Sequence, residues 1–220
     1  MPLLGDILNK AKDVIVSKGE DLAHQAVNSV KDGARDKLDK LKEKAKESIE
    51  NTKKSFTFDE LPDTLEELKA WEGFDMSSPF CVAAMTIAAL CRYPEKKKDA
   101  LEMIEFLNGP VDLTEYDRQF LDDRFMDGKW YVPMSYFEGS DPDNNYKAKK
   151  PYRITVTETP YSDVEEDDYK IKMLYLSSSG ADSMRPLALR QKQSTGEWFL
   201  WNLEAVLSDI RIPKEKDPWA

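Results

Sequence analysis

The longest apolar stretch of the chain, residues 79–91 (PFCVAAMTIAALC), has 13 residues. A helix that spans a bilayer needs about 20, so the run predicts a buried core helix and no membrane span. Ser78 as N-cap with Pro79 at the first helical position marks its start. Tyr93-Pro94 marks its end, because the residue before a proline is pushed out of the helical region. Cys81 and Cys91 lie ten residues apart on this helix, hence about 15 Å along its axis. That exceeds the 7 Å or so across which a disulfide reaches, and both cysteines read as buried free thiols.

Around this helix the pattern is α+β. Upstream, LPDTLEELKAW opens with a capping box, either Asp63 with Glu66 or Thr64 with Glu67. Downstream, a helix over 95–107 stops at Asn108-Gly109-Pro110, and another runs over 113–125 before Asp127-Gly128. From Lys129 onward the period changes to two. WYVPMSYF reads as a short strand interrupted by Pro133. RITVTET, YKIKMLYL, RPLALRQK and EWFLW read as strands joined by short polar turns, which predicts an antiparallel meander. A short terminal helix over 203–207 closes the domain. A four-helix segment followed by strands is α+β and not α/β.

Composition then divides the chain. Residues 1–55 hold no aromatic residue, whereas all 23 aromatics fall in 56–220. The first part carries 12 Lys and Arg against 10 Asp and Glu, a net of +2; the second carries 20 against 32, a net of −12; together they give −10. In the first part apolar residues recur at Leu4, Leu8, Ile15, Leu22, Val30, Leu38, Leu41 and Ile49, with alanines between them, at helical spacing. Residues 1–55 therefore read as an amphipathic helical arm and 56–220 as the globular domain. An Ala-rich stripe is too thin to be stable alone, and helices of this kind gain stability from packing. The arm is expected to associate with itself or dock on a protein partner. A membrane surface is the lesser alternative, since the arm lacks aromatics and a strongly cationic face.

The chemistry-bearing residues are few. A lone His24 in the arm forbids a His-rich metal site. Cys81 and Cys91 sit among apolar neighbours and lack the electropositive niche of a nucleophile. Asp141-Pro142-Asp143-Asn144-Asn145 imitates a calcium loop, but its sixth position is Tyr146 in place of Gly. Glu165-Glu166-Asp167-Asp168 reads as a solvated turn. There is no glycine-rich phosphate loop, and an acidic domain does not suit nucleic acid. No catalytic residue, metal or cofactor is expected. The aromatics offer one sharper reading: a cleft between sheet and helices lined by Trp130, Tyr131, Arg185, Arg190, Trp198 and Trp201. In EWFLW, Trp198 and Leu200 share one face and Phe199 and Trp201 the other, which suits a central strand covered on both sides. Near the end of the chain, Trp219 is expected to pack back onto the domain.

The segments STGEWFLWNLEAVLSDIRIP and DPWA, with FTFDELPDTLEELKAW, resemble a family of bacterial proteins, mostly from gut Firmicutes, known as a domain of unknown function. The resemblance spans residues 56–220 and is most specific over 185–213. It implies a bacterial cytoplasmic protein and supplies no catalytic residues. Two functions follow as expectations. The first is a non-enzymatic interaction or scaffolding protein that works through its arm; the alternative is a ligand-binding or enzymatic domain with an aromatic-lined cleft.

Overall fold

The computed structural model describes residues 53–166 and 169–219. Residues 1–52 of the amphipathic arm, with its stripe from Leu4 to Ile49 and His24, lie outside the described residues, as do the acidic pair Asp167-Asp168 and Ala220, whereas residues 53–55, assigned to the arm on composition, begin a strand.

The described chain is α+β. One strand, β1 (Lys53–Phe58), precedes five helices: α1 (Leu65–Ala70), α2 (Pro79–Leu90), α3 (Lys97–Asn108), α4 (Glu115–Phe125) and the single turn α5 (Tyr131–Met134). Then come β2 (Tyr152–Thr157), β3 (Asp163–Glu166), β4 (Tyr169–Leu176), β5 (Arg185–Gln191) and β6 (Trp198–Asn202). A 3-10 turn, Glu204–Leu207, stands where the terminal helix was expected.

Every pair in the sheet is antiparallel, in the order β1-β2-β4-β5-β6, with β3 also paired to β4. The register shows β2 and β3 to be two pieces of one interrupted strand. Thr157 faces Tyr175 and Asp163 faces Lys172, both on the side of β4 that β5 leaves free. The excursion between them is tied down where the Met173 N–H donates to the Ser162 carbonyl at 2.7 Å. The C-terminal meander is thus present, and β1 is added to its first strand by the long helical crossover.

The core helix is where the sequence puts it. The Ser78 hydroxyl accepts from the Cys81 N–H, with Pro79 in the first turn. Every residue from Phe80 to Leu90 is buried. α2 packs on β1, β2, β4, β5 and β6, and its other side meets α3 and α5. The sheet answers with Val156, Leu174, Leu187, Leu189 and Leu200. Alanines at 83, 84, 88 and 89 keep the helix slim enough for layers on both sides. Its one buried polar side chain, Thr86, donates back to the Val82 carbonyl at 2.8 Å, which removes the cost of an unpaired hydroxyl.

Both cysteines are free. Burial pushes the Cys81 thiol up to about 11, and burial raises that of Cys91 as well. The other caps follow their sequence cues. Thr64 accepts from the Glu67 N–H, while the Glu67 carboxylate reaches back to the Asp63 N–H at 2.7 Å. Asp63 itself binds Arg92 at 2.7 Å and Lys96 at 2.5 Å, joining the lead-in of α1 to the far end of α2. Among the described residues no helix is long and apolar enough to cross a membrane.

Three further expectations change. WYVPMSYF holds the helix α5 in place of a strand: its aromatic and β-branched residues imitate one, but Pro133 falls in a first helical turn, where its missing N–H has no partner to lose. The strand β1 had been hidden because its Lys53 and Lys54 disguise the alternation that puts Phe56 and Phe58 inward. Finally, Trp219 is 93% exposed. The tail is held instead by its backbone and lysines: Lys214 N–H donates to the Pro142 carbonyl at 2.9 Å, Glu215 N–H to Asn145 Oδ1 at 2.9 Å, and Lys216 Nζ to the Gly128 carbonyl at 2.9 Å.

Candidate functional site

A cleft of about 520 Å³ opens beside β6, where the connection from α3 to α4 folds back against the sheet. Its position follows from two local devices. Gly109 ends α3 at φ +83°, a conformation that other residues rarely adopt, and any Cβ there would strike the ring of Phe199. Glycine thus allows the chain to turn in contact with β6. The next turn is closed by Asn108, whose amide donates to the Val111 carbonyl at 2.6 Å. α4 then starts with a full capping box, Thr114 and Asp117 each accepting from the other's backbone N–H.

The second device is a β-bulge. Leu189 faces Leu200 but Ala188 faces Asn202, so Trp201 is the extra residue of β6. Bulges of this kind re-aim a side chain at a sheet edge. Trp201 is 49% exposed, and the Arg190 guanidinium lies over its ring at 4.3 Å. A cation over an indole face holds the ring by electrostatic attraction. Val111 stands on the opposite rim, also 49% exposed. Leu113, Phe120, Leu121, Phe199 and Leu203 make the apolar part of the lining, and Gln191, Gln193 and Asn202 supply polar groups. The charges are mixed, Arg190 and Lys192 against Asp112, Asp117 and Glu204. Asp117 is committed to the cap, its carboxylate holding the Thr114 hydroxyl at 2.6 Å.

Of the six residues expected in an aromatic cleft, the structure brings two together, Arg190 and Trp201. Trp198 is buried and lines a separate hollow with Lys54, Phe80 and Gln191. Tyr131 stacks on Tyr146 with ring centres 5.3 Å apart, and Trp130 meets Tyr131 edge-on at 6.4 Å. Tyr146, at φ +55°, is fully buried and donates to the Arg211 carbonyl at 2.7 Å. Burial there pushes its phenol up to about 12. Arg185 sits at the other end of β5 from Arg190, five residues and about 17 Å away at the rise of a strand. It holds the Asp209 carbonyl at 3.0 Å.

The expected cleft between sheet and helices is filled by α2, and β6 is an edge strand, not a central one. Both its faces carry large apolar residues because the 109–114 connection wraps the outer one. Gly109, Val111, Phe120 and Leu121 were not singled out as site residues. The only signal for them was Asn108-Gly109-Pro110, which announces a helix end and says nothing of what the chain then meets.

In the loop that resembles a calcium site, the Asp141 and Asn144 side chains accept each other's backbone N–H groups, at 2.7 and 3.0 Å respectively. Among the described residues no three His, Cys, Asp or Glu side chains gather as metal ligands.

Comparison with known proteins adds one match. The family model described as Domain of unknown function (DUF6935) matches residues 60–214. No curated protein and no solved structure matches the chain.

Proposed function

We infer, for a chain that belongs to this family of domains of unknown function, that residues 53–219 form a non-enzymatic binding module whose ligand lies in the cleft beside β6. The observation that carries the reading is the exposed Trp201, braced by Arg190 over a lining of Leu113, Phe120, Leu121 and Phe199. An apolar hollow with a few convergent polar groups is the usual form of a small-molecule site. The ligand it suits has a flat apolar body for Trp201 and Phe199, and polar groups for Gln191 and Asn202. The cleft's one hydroxyl beside a carboxylate, Thr114 with Asp117, is occupied in capping a helix, which favours binding over reaction. We place this activity in the bacterial cytoplasm, in keeping with the sequence resemblance.

The test uses the full chain and the fluorescent probe anilinonaphthalene sulfonate. Saturable one-site binding is expected, weakened about tenfold by Trp201→Ala, on the scale of one lost aromatic contact. Trp219→Ala, which removes a still more exposed indole outside the cleft, leaves it unchanged. Binding that ignores Trp201, or that Trp219→Ala reduces as much, refutes the reading.

A second reading stands on residues 1–55, whose stripe through Leu22 and Leu41 suits self-association or docking on a protein partner. Light scattering of the full chain, with and without Leu22→Asp and Leu41→Asp, tests it: the substitutions should abolish any assembly that the arm drives.

A further inference from the structure

The edge of the sheet opposite the cleft is β1, and its backbone groups can be assigned. The Trp71 indole N–H donates to the Thr57 carbonyl at 3.1 Å, so Thr57 points its backbone away from β2. Period two then turns the N–H and C=O groups of Lys53 and Ser55 the same way. All three residues are exposed. An exposed edge of this kind is a template for another strand unless something blunts it. Lysines are a common means of blunting, and here Lys53 and Lys54 open the strand while the exposed acids Asp59 and Glu60 follow its end.

That order of charges selects one partner. We propose that β1 pairs antiparallel with β1 of a second copy of this chain, about a two-fold axis near Phe56, to make one continuous sheet across a dimer. Because only Lys53, Ser55 and Thr57 present hydrogen-bonding groups outward, directly opposed residues must come from this set or continue it. With Phe56 on the axis, Ser55 faces Thr57 of the second copy, whose carbonyl takes the Ser55 N–H on its second lone pair beside the Trp71 indole, and Lys53 faces Asp59 of the second copy. The lysine end of each strand then meets the acidic end of the other. A parallel pairing sets lysine against lysine and is disfavoured, since like charges directly opposed destabilise a ladder. The contact is isologous, as closed dimers require. It is independent of the cleft, which lies at the other end of the sheet.

Size exclusion with light scattering on the full chain tests the proposal. The chain should be dimeric at sub-millimolar concentration. Ser55→Pro removes one outward N–H per copy, at a place where an edge strand tolerates proline, and should weaken the dimer roughly a hundredfold because the change acts twice across the axis. Lys53→Glu should weaken it as well, and Lys53→Glu with Asp59→Lys should restore it. Circular dichroism of each variant reports whether the domain is folded. A wild-type monomer, or a dimer that survives both single changes, overturns the proposal. A dimer broken by Ser55→Pro yet indifferent to the charge exchange overturns the antiparallel register.

Discussion

The two edges of the sheet end in opposite ways. β6 is closed by its own chain: the Trp198 N–H is taken by the Met76 carbonyl at 2.8 Å, Trp198 and Leu200 are buried, and a bulge turns Trp201 aside. β1 offers Lys53, Ser55 and Thr57 to solvent, with the Trp71 indole holding a single carbonyl. An edge wrapped by apolar structure needs no charge to protect it and can enclose a cleft. A bare edge must rely on its charges, and their order decides which strand it accepts. The comparison predicts that damage at β6 is felt as lost stability or ligand affinity, whereas damage at β1 is felt in assembly.

The largest effect should come from the wall that β6 shares with the core. Leu200→Ala leaves a hole beside α2 and should cost about 2–5 kcal/mol in urea unfolding, with no comparable loss for Ser55→Ala on the open edge. If both changes cost the same, the two edges are not different in kind. Next comes Gly109→Ala, which adds a Cβ at positive φ against Phe199. A loss of roughly 1–3 kcal/mol, together with weaker probe binding, would tie the turn to the cleft; loss of neither would detach it.

Smaller still is the stability cost of Trp201→Ala. With its indole half in water, the change should cost under about 1 kcal/mol, the usual range for exposed positions, while binding falls. The smallest effect concerns the ion pairs near β1. The hydrogen bond from Lys96, aided by the nearby Arg92 charge, holds the Asp63 carboxyl below its ordinary value. Its contribution is therefore present above the free carboxyl value of about 3.9 and fades as pH falls through the lowered one. Being one-third exposed, the group should add under about 1 kcal/mol. An acid-unfolding curve of Asp63→Asn should lack that part of the slope.

What could be read in advance followed from local chemistry. Ser78-Pro79 and the all-apolar 79–91 fix a helix that has to be covered. YKIKMLYL alternates as a strand over the bounds observed for β4. RPLALRQK and EWFLW did the same for β5 and β6 within a residue or so, and Arg190 and Trp201 lie together, though beside β6 and not between sheet and helices. The failures have a common cause. WYVPMSYF has strand composition in a helical turn, KKSFTF hides a strand behind two lysines, and Trp130, Tyr131, Arg185 and Trp198 were grouped with Arg190 by chemistry alone.

Local sequence set the core helix, its neighbours α1, α3 and α4, the strands of the C-terminal meander and the α+β class, because caps, turns and periodicity act between residues close along the chain. Tertiary structure decided which strand lies at an edge, that α2 fills the space between sheet and helices, and that Gly109 meets Phe199 some ninety residues later. Those outcomes depend on the packing of surfaces brought together only by folding, and no short stretch of sequence carries that information.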